Sequence, residues 1–143
     1  MADCDEVWHA GDWGDLAVSD TIGRTKTVRG VYGNIDGGPV RAVYPKEVYF
    51  TIEGLTVYIT HIGGYPGRYE KGVKDRLIEL KPDLYICGHS HICKVIKDKE
   101  LGLIHFNPGA IGMHGFHKKR TMLRFKIEGK QIKDLEVIEF ERR

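Results

Sequence analysis

Leu84-Tyr85-Ile86-Cys87-Gly88-His89-Ser90-His91 decides the reading of this 143-residue chain. Its first four residues make a short apolar run of the kind that forms a buried strand, and the chain then turns at a glycine into two histidines. Side chains at i and i+2 of an extended segment project to one side, so both imidazoles can meet one cation cluster. Paired histidines at this spacing beside glycine read as functional rather than structural.

Working outward, three more apolar runs end the same way. Glu6 to Ala10 runs into Gly11-Asp12, Thr27 to Tyr32 into Gly33-Asn34, and Thr56 to Thr60 into His61-Ile62-Gly63. In α/β sheets ligands bind beyond the carboxyl ends of the strands, so residues distant in sequence can converge there. Glycine beside each polar residue lets the chain turn sharply and lets backbone approach a bound ion or phosphate. Taken singly, Asp12 would read as a turn or cap residue, Asn34 as a turn residue reinforced by Asp36-Gly37-Gly38, and His61 as a strand-end histidine. Together they form a set of carboxylate, amide oxygen and imidazole that suits Mn²⁺, Fe²⁺ or Zn²⁺ better than Ca²⁺ or a sulfur-bound zinc. A carboxylate can bridge two such ions about 3.5–4 Å apart, and Asp12 is the candidate bridge.

The remaining chain fits around these strand ends as one α/β domain spanning residues 1–143. Val48 to Glu53 and Thr56 to Thr60 form a hairpin with Glu-Gly or Gly-Leu at its turn. Tyr69 to Lys81 is the one clear helix: Val73, Leu77 and Leu80 form an apolar stripe, and Pro82 stops it. Val95-Ile96, Leu103 to Phe106, Met122 to Ile127 and Ile132 to Phe140 supply further strands, with turns at Asp98 to Gly102 and Glu128 to Lys130. Hydrophobic residues at 41% and charged residues at 29% exclude wholesale disorder. A net charge of +2 and a pI near 8.4 are too mild for a nucleic-acid footprint, and stable nucleic-acid binding is not expected. No apolar run nears the stretch of about 20 residues that a membrane helix needs. Three cysteines without paired spacing and no signal peptide point to the cytoplasm.

The order Gly-Asp, Gly-Asn, His and Gly-His-x-His resembles the calcineurin-like metallophosphoesterases. Asn107-Pro108-Gly109-Ala110 resembles the Asn-Pro-Gly-Ser turn of their small branch, which includes the YfcE-like phosphodiesterases and a retromer subunit that kept the fold. The resemblance implies two packed β-sheets flanked by helices. It also implies hydrolysis of a phosphoester by a metal-activated hydroxide at a dinuclear site, with Asp12, Asn34 and His61 as catalytic residues. By the same resemblance Asp12 bridges both ions, Asn34, His61 and His89 complete the second site, and His91 belongs to the first. The ions would be two of Mn, Fe, Zn or Ni, with Mn favoured, and the partner a small-molecule phosphoester; a homo-oligomer stays open. The first site should also receive an Asp-x-His motif from the family's first strand. No such motif stands in this sequence, so the N-terminal strand and helix, roughly two dozen residues, are expected to be missing. Met1 is then an internal methionine of a longer reading frame or an artificial boundary.

A second departure is Ile35, where the wider superfamily often has a histidine that contacts phosphate and assists the leaving group. His114 and His117, with Lys118, Lys119 and Arg120, are weaker candidates for approaching phosphate. His9 and His105 read as packed strand histidines, Cys87 and Cys93 as small hydrophobes, Trp8 as core and Trp13 as a candidate substrate rim. The alternative function, from another class, is a non-catalytic metal-binding scaffold for a protein partner, like the retromer subunit.

Overall fold

A computed structural model describes residues 4–112 and 119–141. In chain order the elements are β1 (Glu6–His9), α1 (Leu16–Gly23), β2 (Thr27–Gly30), α2 (Gly38–Val43), β3 (Glu47–Ile52), β4 (Leu55–Thr60), β5 (Gly64–Tyr65), β6 (Arg68–Tyr69), α3 (Val73–Leu80), β7 (Leu84–Ile86), β8 (Cys93–Asp98), β9 (Leu103–Pro108), β10 (Lys119–Glu128) and β11 (Gln131–Glu141). The class is mixed α/β, as the sequence predicts.

The centre is a five-stranded sheet in the order β3-β4-β7-β9-β8. Its inner strands β4, β7 and β9 are parallel and its edges β3 and β8 antiparallel. Period-two alternation sorts the inner strands onto two faces. Val57, Ile59, Leu84, Ile86 and Phe106 point into one core, where Trp8, Leu123 and Phe125 pack against them. Tyr58, Tyr85, Cys87 and Leu103 point the other way, towards Val73, Leu77 and Leu80 of α3. The predicted apolar stripe is thus the face α3 buries.

Expectation and structure part at the helices, and the structure decides two further features. The helix predicted from Tyr69 starts only at Val73, because Gly72 takes φ +86, a left-handed conformation that cannot continue a helix, and Arg68–Tyr69 pairs instead with Gly64–Tyr65. Two helices carry no clear stripe and escape the periodicity: α1, capped by Asp15 Oδ1 accepting from Ala17 N–H at 2.9 Å, and α2, which has proline in its first turn. The open hairpin turn is Glu53-Gly54, with φ of +51 and +77 between the pair Ile52↔Leu55, the primed geometry that matches strand twist. Finally, the layer opposite the five-stranded sheet is two separate pairs, parallel β1-β2 and antiparallel β10-β11, rather than one sheet. Among the described residues no hydrogen-bonded ladder joins β1 to β10.

Trp13 is core rather than substrate rim: it is 5% exposed, stacks between His9 and Tyr44 and donates from Nε1 to the Val31 carbonyl at 2.9 Å. Cys87 is fully buried, and burial pushes its thiol up to about 12, an inert small hydrophobe as predicted. Among the described residues no helix is long and apolar enough to cross a membrane.

His105 is fully buried with Nε2 3.8 Å from Cys87 Sγ, and burial lowers its pKa to about 4. The unfolded histidine takes up a proton below about pH 6.5, the folded one only below about 4, so the unfolded state binds more protons between them. Stability therefore falls as pH drops through that window, by up to about 3 kcal/mol for this residue. Urea unfolding from pH 7 to pH 4 should show this loss, and His105→Phe should flatten the slope; an unchanged slope would discount the assignment.

Candidate metal centre

Four loops at the carboxyl ends of β1, β2, β4 and β7 meet at one point. Asp12 follows β1, Asn34 follows β2, His61 follows β4 and His89 follows β7. His61 Nε2 lies 2.8 Å from Asn34 Oδ1 and 3.2 Å from Asp12 Oδ2, and His89 Nδ1 lies 3.1 Å from the same Asn34 oxygen. Ligand atoms of Asp12, His61 and His89 all fall within 4.8 Å of one another. His61 is buried, Asp12 half-buried, and Asn34 and His89 are exposed, so the cluster has a fixed floor and an open mouth. His91, which the resemblance assigns to the first site, lies outside this group. His114, His117 and Lys118 fall outside the described residues, and Lys119 and Arg120 begin β10.

The loops can meet only because two positions lack a side chain. A Cβ at Gly11, where φ is +97, would stand 2.6 Å from His61 Nδ1, and one at Gly33 would stand 2.1 Å from Asp12 Oδ1. Three non-glycine residues of the site loops, Asp12, His89 and His91, take positive φ of 63, 69 and 63. Such conformations are uncommon outside glycine and cluster where function holds them. The tertiary frame that enforces them includes Gly88 N–H donating to the His61 carbonyl at 2.9 Å.

The chemistry of the donor set fits a cation. The Ala10 carbonyl, 2.7 Å from His61 Nδ1, can only accept, so Nδ1 carries the proton and donates. A neutral His61 then turns the lone pair of Nε2 towards the Asp12 carboxylate, an arrangement that only a proton or a cation can satisfy. The titration behaviour agrees. Burial alone pulls the His61 pKa down, but the hydrogen bonds to Asp12 and Ala10 outweigh it and raise the value. Burial pushes Asp12 up, yet the bonds from His61 and from Ile35 N–H, at 3.1 Å, hold it below the ordinary carboxylate value. A metal ion binding here would displace that shared proton.

Two residues matter more than the sequence pattern shows. Asp36, 3% exposed, accepts from Trp13 N–H (3.1 Å), Gly14 N–H (2.9 Å) and Gly33 N–H (2.7 Å), fastening the Asp12 loop to the Asn34 loop. The only local signal is its place three residues after Gly33, which reads as a plain turn. Asn107, fully buried, donates to the Gly88 carbonyl and to Ser90 Oγ, both at 3.1 Å, and so ties down the histidine loop. His9, read as a packed histidine, accepts from Gly11 N–H at 3.1 Å and supports the turn before Asp12.

Residues 1–130 match the model of the calcineurin-like phosphoesterase superfamily domain. The chain belongs to that superfamily. No match was found among curated proteins. Vps29 of Entamoeba histolytica complexed with Zn²⁺ is similar in fold, with a TM-score of 0.76 at 13% identity over 100% of this chain and 85% of that one. An archaeal phosphodiesterase gives a TM-score of 0.70 at 20% identity over 96% and 84%, and a Thermotoga maritima protein solved by NMR gives 0.69 at 24% identity over 97% and 83%. At these identities the likeness is one of fold, and it is shared by a phosphodiesterase and by Vps29 alike.

A divalent ion held by this cluster should stabilise the fold by about 2.7 kcal/mol at a hundred times its Kd. Thermal melts with added Mn²⁺ or Zn²⁺ should show the rise, and His61→Ala should remove it. A shift of equal size in the variant would place the ion elsewhere.

Proposed function

We propose that the chain is a metal-dependent phosphoesterase, most directly a phosphodiesterase. The observation that carries this reading is the convergence of Asp12, Asn34 and His89 around His61, with Asn34 Oδ1 and Asp12 Oδ2 within 2.8 and 3.2 Å of His61 Nε2. These four residues would hold one divalent ion, and Asp12 with His91 would contribute to a second. Mn²⁺ is favoured by the oxygen and nitrogen donors. Once bound, such ions lower the pKa of water and neutralise charge on a phosphoryl group. The chain's own residues do the positioning. His61, buried and fixed through the Ala10 carbonyl, sets the depth of the site, while exposed Asn34 and His89 leave its mouth accessible to a phosphoester. In this reading the five-stranded sheet and the two facing pairs correspond to the two packed sheets of the family sandwich, flanked by helices.

Ile35, 64% exposed, stands beside the site with its N–H on Asp12. Its side chain has no proton to give, so the reading favours phosphoesters whose leaving group departs without protonation at this position, such as aryl esters.

A second reading, a scaffold that binds a protein partner, is favoured by a specific feature. Ile35, Ile62, Ile92 and Ile111 are 64%, 40%, 51% and 44% exposed, and each directly follows a residue singled out above: Asn34, His61, His91 and Ala110. Apolar side chains at the edge of a polar centre suit a protein contact.

Metal content per chain and turnover of bis(p-nitrophenyl) phosphate separate the two. The phosphoesterase reading expects metal-dependent turnover that Asp12→Asn lowers at least about a hundredfold. Stoichiometric metal without turnover of any phosphoester would favour the scaffold.

A further inference from the structure

The segment after His61 brings a tyrosine onto the histidine loop. Gly64–Tyr65 pairs with Arg68–Tyr69 across Pro66-Gly67, a proline followed by a glycine at φ +83, which are the residues a tight type II turn asks for. Glu70 N–H donates to the Gly63 carbonyl at 2.9 Å and closes the base of the hairpin. Tyr65, half-buried, meets the ring of buried His105 edge-on at 5.8 Å, and its hydroxyl is hydrogen-bonded to Ser90 Oγ. Ser90 is the residue between His89 and His91.

The direction of that bond follows from the other partners of Ser90. Gly109 N–H donates to Asn107 Oδ1 at 3.0 Å, so the opposite end of the amide, Nδ2, is the donor that meets Ser90 Oγ at 3.1 Å. Ile92 N–H donates to the same oxygen at 3.2 Å. A hydroxyl has two lone pairs and one proton, and both lone pairs of Ser90 are taken. Ser90 therefore donates to Tyr65, and the proton of Tyr65 is left for another acceptor. Among the described residues the Tyr65 hydroxyl finds none.

A cation stands beside it. Lys94 lies opposite Asn107 in the β8-β9 ladder, so the two side chains rise from one face of the sheet. Its Nζ lies 4.7 Å from the centroid of the Tyr65 ring, a cation–π contact that holds the ammonium over the aromatic face. Lys94 is exposed, and among the described residues no carboxylate forms an ion pair with it. An ammonium without a counter-charge and an O–H without an acceptor thus share one ring, next to the residue that separates two site histidines.

We propose that Lys94 Nζ and the Tyr65 O–H bind a second anionic group, a phosphate or a carboxylate, on the retained arm of a phosphoester whose scissile group sits at the metal centre. The inference rests on the phosphoesterase reading and narrows its substrates to esters that carry charge away from the scissile phosphorus. Hydrogen bonds from a cation to an anionic oxygen are short and strong, and donors already held in place lose little freedom when the ligand arrives. The two flanks of the site then divide the substrate. An apolar leaving group lies beside Ile35, and the charged arm reaches Lys94 and Tyr65.

The test measures binding without turnover. The Mn²⁺-loaded protein is titrated calorimetrically with alkylphosphonates, and with alkylenediphosphonates and carboxyalkylphosphonates of matched chain lengths. At its best length one of the charged series should bind about tenfold tighter than the plain alkylphosphonate, or more, and added NaCl should narrow that preference. Whichever charged series is preferred identifies the group as phosphate or carboxylate. Lys94→Gln and Tyr65→Phe should each cut the preference by about threefold or more, and Lys94→Arg should retain it. All these ligands share the phosphonate, so a variant that only loosened the metal centre would weaken them alike and leave the ratio intact. That result, or equal or absent binding of all three series by the wild type, would overturn the proposal. Turnover of methyl p-nitrophenyl phosphate reports separately. A preference without turnover supports the anion site and overturns the phosphoesterase reading, whereas turnover without a preference does the reverse.

Discussion

The hydrogen bond from His61 Nδ1 to the Ala10 carbonyl joins the two layers where they carry chemistry. One partner ends β4 in the central sheet, and the other follows β1 in the facing layer. The bond fixes the tautomer of the imidazole, and that choice aims Nε2 at Asp12 and Asn34. It also brings the chain ends so close that Gly11 cannot be any other residue without moving His61. The glycine, the strained Asp12 after it and the shifted titration of the Asp12–His61 pair all follow from this single approach of one layer to the other.

The left-handed backbone at Asp12, His89 and His91 has an energetic meaning in this setting. Each such residue costs of order 1–3 kcal/mol and persists only where surrounding structure over-determines it. Buried Asp36 and Asn107 supply that constraint through N–H and carbonyl groups of the loops themselves. The frame at the site is therefore polar and short-range, and it joins the apolar core through Ala10 and Trp13.

The strand ends were legible because apolar runs stopped at glycine followed by a ligand-type residue, a pattern that needs no tertiary information. Val73, Leu77 and Leu80 likewise announced the face of α3. The start of that helix was hidden because Gly72 and the small β5-β6 hairpin break it through backbone conformation rather than polarity. Nor could α1 and α2 be read, since caps and proline begin them while no periodic stripe runs along them. The roles of Asp36 and Asn107 were invisible for a different reason: each binds backbone groups from another loop, and such partners leave no mark on side-chain sequence.

Asp36 also makes the Asp12 and Asn34 loops one mechanical part. Three N–H groups from two segments share one carboxylate, so neither loop can be lengthened, shortened or exchanged for a foreign sequence without releasing the other. In an evolutionary sense the two loops form a single heritable module although Asp12 and Gly33 stand 21 positions apart in the chain. Variation in the mouth of the site is thereby channelled into positions that point outward from this knot, such as Ile35, which is 64% exposed.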